Sequence, residues 1–287
     1  MDYPRWYADQ QSSARRTSRR YLPGTSFSRI PPDVFLIEAG CNATLKINCR
    51  DEDDNPHVAT VRTYSEAGNQ PLLTAVKRLA ANLPQRANAR VGVGDHGWMF
   101  GLGMRDPAKL LEYVITAVLA VFLLPTMNLI VEVMERRCPT LLESMRDLEY
   151  GRGFGGCSSL GGKKAASSSL MISKDLRNAS HVDFRDQSDS FGVWVEERPG
   201  MAKEWSFLLP NVSIGGSRGV AIQLYDGCVI EWDGLRLQHC TTLGKLGDGN
   251  HVYGCMVGVC RHRKRKKPNG KRSKNKRRRK RAKQRRR

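Results

Sequence analysis

Residues 220–240 read VAIQLYDGCVIEWDGLRLQHC, and the fold follows from how this stretch alternates. Val220, Ile222 and Leu224 alternate with Ala221, Gln223 and Tyr225, the two-residue period of a strand whose side chains point to opposite faces. Asp226-Gly227 comes next, a pair that favours the left-handed backbone of a tight hairpin turn. A short strand over Cys228–Trp232 then leads to a second hairpin signal at Asp233-Gly234, after which Leu235, Leu237 and His239 share one face of a further strand. Upstream, Phe191, Val193 and Val195 alternate with Gly192, Trp194 and Glu196, and Trp205 to Ile214 is another apolar run. Downstream, Val252–Val257 makes a last strand.

Before residue 170 the period changes from two to about three and a half. Leu72, Val76, Leu79, Ala80 and Leu83 fall on one face of a helix. Asp106-Pro107 predicts a helix start, with an N-cap followed by proline at the first helical position, running to about Leu124 before Pro125. A third helix follows Pro139, with Leu141, Leu142, Met145 and Leu148 on one side. No charge interrupts residues 113–131, which is the length of a membrane span. Pro125, Thr126 and Asn128 near its middle and Glu112 and Glu132 at its ends favour instead a buried helix pair packed on a sheet. Helices followed by short antiparallel strands describe an α+β protein with a β-sandwich or small barrel as its core. The chain divides into a poorly ordered segment (1–65), a helical support region (66–150), a Gly/Ser-rich loop (151–169), a strand-rich core (170–260) and a tail (261–287).

Charge is distributed just as unevenly. Of 48 basic residues 19 fall in 261–287, which contains no acid, so 29 basic and 28 acidic side chains remain in 1–260 and most of the +20 net charge belongs to the tail. A block of like charge stays solvated and disordered. Arg263, Lys264, Arg265, Lys266 and Lys267, with Arg277, Arg278, Arg279, Lys280 and Arg281, form clusters suited to a nuclear-import receptor or to phosphates of nucleic acid. Without an aromatic residue to stack on bases, the tail neutralises a polyanion without reading sequence. An acidic membrane is the third option, disfavoured because no adjacent amphipathic helix or lipidation site accompanies the basic run. The expected location is intracellular, and nuclear through the tail.

Eight cysteines contain no Cys-x-x-Cys pair, and no apolar leader opens the chain, so the thiols are expected to be reduced. The spacings of Cys240, His251, Cys255, Cys260 and His262 match no usual zinc pattern. Gly151–Gly156, GRGFGG, has neither a strand before it nor a helix after it, so it fails as a dinucleotide loop.

One constellation can carry chemistry. His181 is followed two residues later by Asp183, so on a strand its imidazole and that carboxylate reach the same side. His239 lies 58 residues on, on the apolar and inward face with Leu235 and Leu237. Singly, an inward histidine is a core residue and a His-x-Asp pair is surface polarity. Together, two histidines and one carboxylate make a three-point face that leaves coordination positions open, the arrangement that suits non-haem Fe(II).

The order HVD (181–183), alternating strands, a Trp-Asp-Gly turn, an inward histidine in LRLQHCTT and the glycine-rich GDGNHVYGCMVG resembles the Fe(II)- and 2-oxoglutarate-dependent dioxygenases over residues about 165–260. The resemblance implies a double-stranded β-helix, or jelly roll, over 170–260 with supporting N-terminal helices. It implies Fe(II) on His181, Asp183 and His239, with 2-oxoglutarate and O2 as co-substrates and hydroxylation or demethylation as the outcome. Family members usually hold the distal carboxylate of 2-oxoglutarate with an Arg or Lys about ten residues after the second histidine, where this chain has Asp248-Gly249-Asn250-His251. Lys245, Arg198 from another strand, and Asn250 are the candidate co-substrate contacts. The alternative is a non-catalytic jelly-roll protein that binds nucleic acid through its basic tail; metal content separates the two.

Overall fold

A computed structural model describes residues 5–10, 22–50, 55–83, 96–103, 118–150, 166, 167, 169–183 and 186–259. The proposed helix start at Asp106-Pro107, nearly all of the Gly/Ser loop and the basic tail lie outside the described residues. Four strands precede the first helix: β1 (Arg5–Gln10), β2 (Phe35–Ile37), β3 (Ala43–Arg50) and β4 (Pro56–Ser65). Helix α1 (Gln70–Ala81), strand β5 (His96–Gly103) and helices α2 (Ala120–Arg137) and α3 (Pro139–Tyr150) follow. The remainder is β-structure: β6 (Ser169–Arg177), β7 (Ser190–Glu196), β8 (Ser206–Leu209), β9 (Val212–Ser213), β10 (Val220–Gln223), β11 (Cys228–Trp232), β12 (Cys240–Thr242) and β13 (Val252–Val257). The fold class is thus mixed α+β, mostly sheet.

The strands form a nine-stranded sheet in the order β5-β6-β13-β7-β11-β4-β3-β1-β9 and a four-stranded sheet in the order β12-β8-β10-β2. Alternation along the central strands explains why both faces of the large sheet are apolar. Phe191, Val193, Val195, Val229, Cys255 and Val257 face the helices, where they pack with Leu72, Val76, Met127 and Met145. Trp194, Ile230, Trp232 and Val252 face the other way, into a second core shared with Phe207, Leu209 and Ile222 of the small sheet. Every residue of β7 is consequently buried.

Helix α1 begins where Asn69 accepts a hydrogen bond from the Leu72 amide, which satisfies one of the free N–H groups at its start. It buries Leu72, Leu73, Val76, Leu79 and Ala80, the face marked by the sequence period with Leu73 added. Helix α3 begins at Pro139 and buries Leu141, Leu142 and Met145.

Three expectations are corrected. Residues 35–37, 43–50 and 56–65 are not poorly ordered, since they form β2, β3 and β4 of the two sheets. Their polar composition hides a period-two signal in β3, where Ala43, Leu45, Ile47 and Cys49 point inward. Pro125 does not end a helix; it lies inside α2, while most of the helix expected before it falls outside the described residues. The carbonyl four residues earlier loses its donor, but Val121 is 70% exposed there, so water can serve it. Thr126 donates to the Phe122 and Ala75 carbonyls and ties this turn to α1. Among the described residues no helix is long and apolar enough to cross a membrane.

The third correction concerns the two Asp-Gly pairs. Both are turns, but neither closes a hairpin, because β10 and β12 lie in the small sheet while β11 between them lies in the large one. Gly227, at φ +86°, sits where a Cβ would come within 2.5 Å of the Ala67 backbone, and its carbonyl accepts the Glu66 amide. That contact sends β11 to pair with β4 and β7. After Asp233-Gly234 the chain turns, with the Leu237 amide donating to the Asp233 carbonyl, so the next strand begins at Cys240, five residues later than the alternation of Leu235 and Leu237 predicts.

Candidate metal centre

His181 and His239 face each other across an isolated antiparallel bridge in which each backbone N–H donates to the other's carbonyl at 2.9 Å. This pairing brings residues 58 positions apart into register and holds their rings 4.6 Å apart. Asp183 is not on a regular strand as expected. Its amide donates to the Gly234 carbonyl at 2.7 Å, which carries its carboxylate to the same point. Asp183 Oδ1 is 3.7 Å from His181 Nε2, and Oδ2 is 3.4 Å from His239 Nε2. One ligand atom from each of the three residues lies within 4.8 Å of the others, and among the described residues this is the one such group.

The tautomers are set by the backbone. His181 Nδ1 lies 2.9 Å from the Ala179 carbonyl and His239 Nδ1 lies 2.9 Å from the Leu237 carbonyl. A carbonyl can only accept, so both Nδ1 atoms carry a proton, and Nε2 is the atom each ring can offer a metal once any proton shared with Asp183 has left. Burial would lower the pKa of His239, but the Asp183 carboxylate, by hydrogen bond and by charge, outweighs it and holds the pKa above its usual value. Two imidazoles and one carboxylate meeting at one point make a three-point face of the kind that suits a non-haem divalent metal.

The first segment of the chain braces this centre. Gly24 donates to the Ser180 carbonyl, Ser180 donates to Thr25, and Gln238 donates to the Ser180 hydroxyl at 2.9 Å. Phe207 stacks on the His239 ring at 5.4 Å between centroids, and Trp232 meets it edge-on at 5.7 Å. His239 is thereby both buried and oriented.

A cavity of about 110 Å³ opens on the triad and reaches between the sheets. Trp194, Trp205 and Trp232 line this cavity and are buried in the core, at 3% exposure each. Ser173 and the Trp194 indole meet at Gly254, where a Cβ would come to 2.7 Å from Ser173 Oγ and 3.4 Å from Trp194 Nε1. The missing side chain leaves a small cradle between the Trp194 indole and the Ser173 hydroxyl, whose proton is directed at the Gly254 carbonyl 3.5 Å away and would have to turn to serve a ligand. The triad fits a divalent metal, and this cradle offers a carboxylate neutral donors; among the described residues lining the cavity there is no Lys or Arg.

The three candidate co-substrate contacts lie elsewhere. Lys245 is exposed, and its carbonyl accepts the Lys203 amide. Arg198 is exposed and gives its guanidinium to the Asp248 carbonyl. Asn250 is buried, but its amide is spent on the Arg198 N–H and on Glu196 Oε1. Glu196 also takes the amides of Gly200 and Ala202, so these residues pin two loops to each other outside the cavity. Counting residues from His239 could not show this, because sequence distance does not say on which side of the sheet a loop lies. His251 pairs with Asp175 at 2.8 Å, and Cys240 and Cys255 are buried free thiols, so among the described residues the zinc alternative gains no geometry; Cys260 and His262 lie outside them. The tail residues from Arg263 to Arg281 lie outside the described residues.

No protein-family model and no curated protein sequence matches the chain. Among solved structures it is similar to NgTET1 in complex with 5mC DNA, at 10% identity over 80% of this chain and 83% of that one, with a TM-score of 0.43. It is also similar to a 2OG-Fe(II) oxygenase family oxidoreductase from Burkholderia pseudomallei, at 12% identity over 70% and 87%, TM-score 0.32. JOX2 in complex with 2OG, Fe and JA is a third, at 10% identity over 84% and 80%, TM-score 0.33.

The raised pKa of His239 has a measurable consequence. Below that pKa the metal-free protein carries a proton that must leave before Nε2 can ligate, and above it no such cost exists. Metal affinity is therefore expected to be flat at high pH and to fall about tenfold per unit as pH drops through the His239 pKa. Titration with Mn(II) or Co(II) across pH 5 to 8 checks the direction.

Proposed function

We propose that this chain is an Fe(II)- and 2-oxoglutarate-dependent dioxygenase that hydroxylates or demethylates its substrate. The observation that carries the proposal is the convergence of His181, Asp183 and His239 at one end of a cavity. The order in which the chain fills its sheets supports a double-stranded β-helix. From residue 169 on, β6, β7, β11 and β13, with the two-residue β9 at the far edge, fall in the large sheet, and β8, β10 and β12 fall in the small one, with the His181 bridge beside β12.

Fe(II) held there would supply activation of O2, coupled to oxidative decarboxylation of 2-oxoglutarate to succinate. His181 and His239 present Nε2 in fixed tautomers, and Asp183 supplies the negative charge. Trp194, Trp232 and Phe207 make a rigid apolar wall that excludes water from the reacting side. Ser173 and Trp194 at Gly254 are proposed to receive the distal carboxylate of 2-oxoglutarate. Neutral donors hold a carboxylate more weakly than a guanidinium does, so a high KM for this co-substrate is expected. The basic tail is proposed to concentrate the protein on nucleic acid or to engage a nuclear-import receptor, which makes a nucleic acid or a nuclear protein the substrate class to try first.

Purified protein supplied with Fe(II), ascorbate and 2-oxoglutarate is expected to form succinate, in coupled or uncoupled turnover, and the His181→Ala variant to form none. Stoichiometric metal binding without succinate from any 2-oxo acid tested would favour the non-catalytic alternative, for which the outward placement of Arg198 and Lys245 speaks.

A further inference from the structure

Strand β6 changes the face it turns to the cavity part-way along its length. Met171 and Ser173 line the cavity with the two-residue period of a strand, and the same period would next bring Asp175 and Arg177 there. Asp175 instead takes φ +51°, and it is Leu176 and Asn178 that line the cavity. The Asp175 carboxylate is turned away, to the Val252 amide at 2.9 Å and the His251 ring at 2.8 Å. Gly97, at φ +76°, passes so close to the Asp175 carbonyl that a Cβ there has no room. The kink thus delivers a carboxamide, that of Asn178, to the cavity wall three residues before His181.

Asn178 is 6% exposed, and the two polar atoms of its side chain are employed differently. Oδ1 accepts the Thr241 amide and lies 2.8 Å from the Thr241 hydroxyl. A backbone N–H can only donate, so this contact settles which end of the carboxamide is oxygen. Thr241 stands two residues past His239, on the same side of the chain, so the tie holds Asn178 close to the strand that carries this ligand. Among the described residues no group accepts from Asn178 Nδ2. Three hydroxyls of the same cavity are already committed. Ser190 donates to Asp186 at 3.0 Å, Thr241 donates to Asn178 or to the Leu176 carbonyl, and Ser173 is directed at the Gly254 carbonyl. A buried N–H without an acceptor is unfavourable. A 2-oxo acid, whose oxygens are all acceptors at neutral pH, is a ligand that relieves it.

We infer that Asn178 is a binding residue for the 2-oxo acid, its Nδ2 donating to a carboxylate oxygen while Oδ1 holds the strand that carries His239. The inference rests on the Fe(II)- and 2-oxoglutarate-dependent reading above.

The test is Asn178→Asp, which keeps the oxygen that Thr241 needs and exchanges the N–H donors for a second oxygen. Full-length protein loaded with Mn(II) is titrated with 2-oxoglutarate in the absence of O2. The variant is expected to bind 2-oxoglutarate at least about tenfold more weakly than wild type, the loss of a hydrogen bond to a charged group, and to bind Mn(II) itself no more weakly. Pyruvate keeps the 2-oxo acid end and lacks the distal carboxylate, so it tells which carboxylate is held. Equal weakening of both ligands assigns the metal end, and weakening of 2-oxoglutarate alone assigns the distal end. A folded variant that binds 2-oxoglutarate as wild type does would overturn the inference. So would one that loses Mn(II) as well, by making Asn178 a tie to Thr241 and nothing more. Should the variant not fold, the wild type decides: the ¹⁵N-labelled side-chain amide of Asn178 in Zn(II)-loaded protein is expected to shift on saturation with 2-oxoglutarate, and a signal that stays still sinks the inference. A wild type that takes up Mn(II) but no 2-oxoglutarate removes the co-substrate reading and this inference together, whereas normal binding by the variant removes this inference only.

Discussion

Asp183→Ala is expected to abolish metal binding at micromolar protein, a loss well beyond about 100-fold, the upper end of what an outer partner of a ligand contributes. Asp183 is the one anionic member of the triad. Without it a divalent ion would meet two neutral imidazoles beside an apolar wall, in surroundings that neither solvate nor balance its charge. Asp183→Asn keeps the shape and an oxygen donor but loses the charge, so it should fall between the two. Neither change is expected to unfold the chain, because the Asp183 side chain is 31% exposed and anchors through its backbone amide, which both variants keep. Isothermal titration with Mn(II), read beside the circular dichroism of each variant, separates loss of ligand from loss of fold. The titration of His239 should change as well: with Asp183 gone, the main influences that raise its pKa are lost, and burial is opposed only by the Leu237 carbonyl and Asp186, so the pKa falls and the neutral ring persists to lower pH.

Phe191→Ala is expected to destabilise the protein by about 3–5 kcal/mol, the largest single effect on folding. Phe191 is 0% exposed on β7, the strand between β13 and β11, and faces the helices with Val193 and Val195. Its loss leaves a void against α1 and α2, elements that cannot collapse inward without disturbing the sheet beneath them. A drop in melting temperature of roughly 10 °C follows for a chain of this size. The triad lies on the other side of that sheet, so at temperatures where the variant is folded its metal affinity should stay within about twofold of wild type, as distant sites act independently. Thermal unfolding followed by far-ultraviolet circular dichroism checks the first expectation, and metal titration at low temperature checks the second.

The metal ligands could be read from the sequence because their chemistry is local. A His-x-Asp spacing brings two donors near one point, and one inward histidine late in the strand-rich region completes the set. The path by which they meet was less visible. Asp183 reaches the centre through Gly234, and His239 comes into register through a bridge to His181; neither hydrogen bond has a local signature. The Asp-Gly turns were legible as turns, but whether a turn joins neighbours in one sheet or crosses to another depends on what Gly227 packs against. The placement of the candidate co-substrate contacts was hidden for the same reason: Arg198 and Asn250 are tied to each other and, through Asn250, to Glu196, and the Lys245 carbonyl takes the Lys203 amide, in loops that do not line the cavity. Strands β3 and β4 were missed although β3 alternates cleanly, because the acidic run at 51–54 between them reads as surface loop.

Direct metal analysis of the purified chain after anaerobic loading with Fe(II) tests the centre itself. The structure predicts one ion per chain in the wild type and none in a His181→Ala/Asp183→Ala variant of unchanged fold; a folded wild type that stays metal-free, or a double variant that retains its ion, would contradict it.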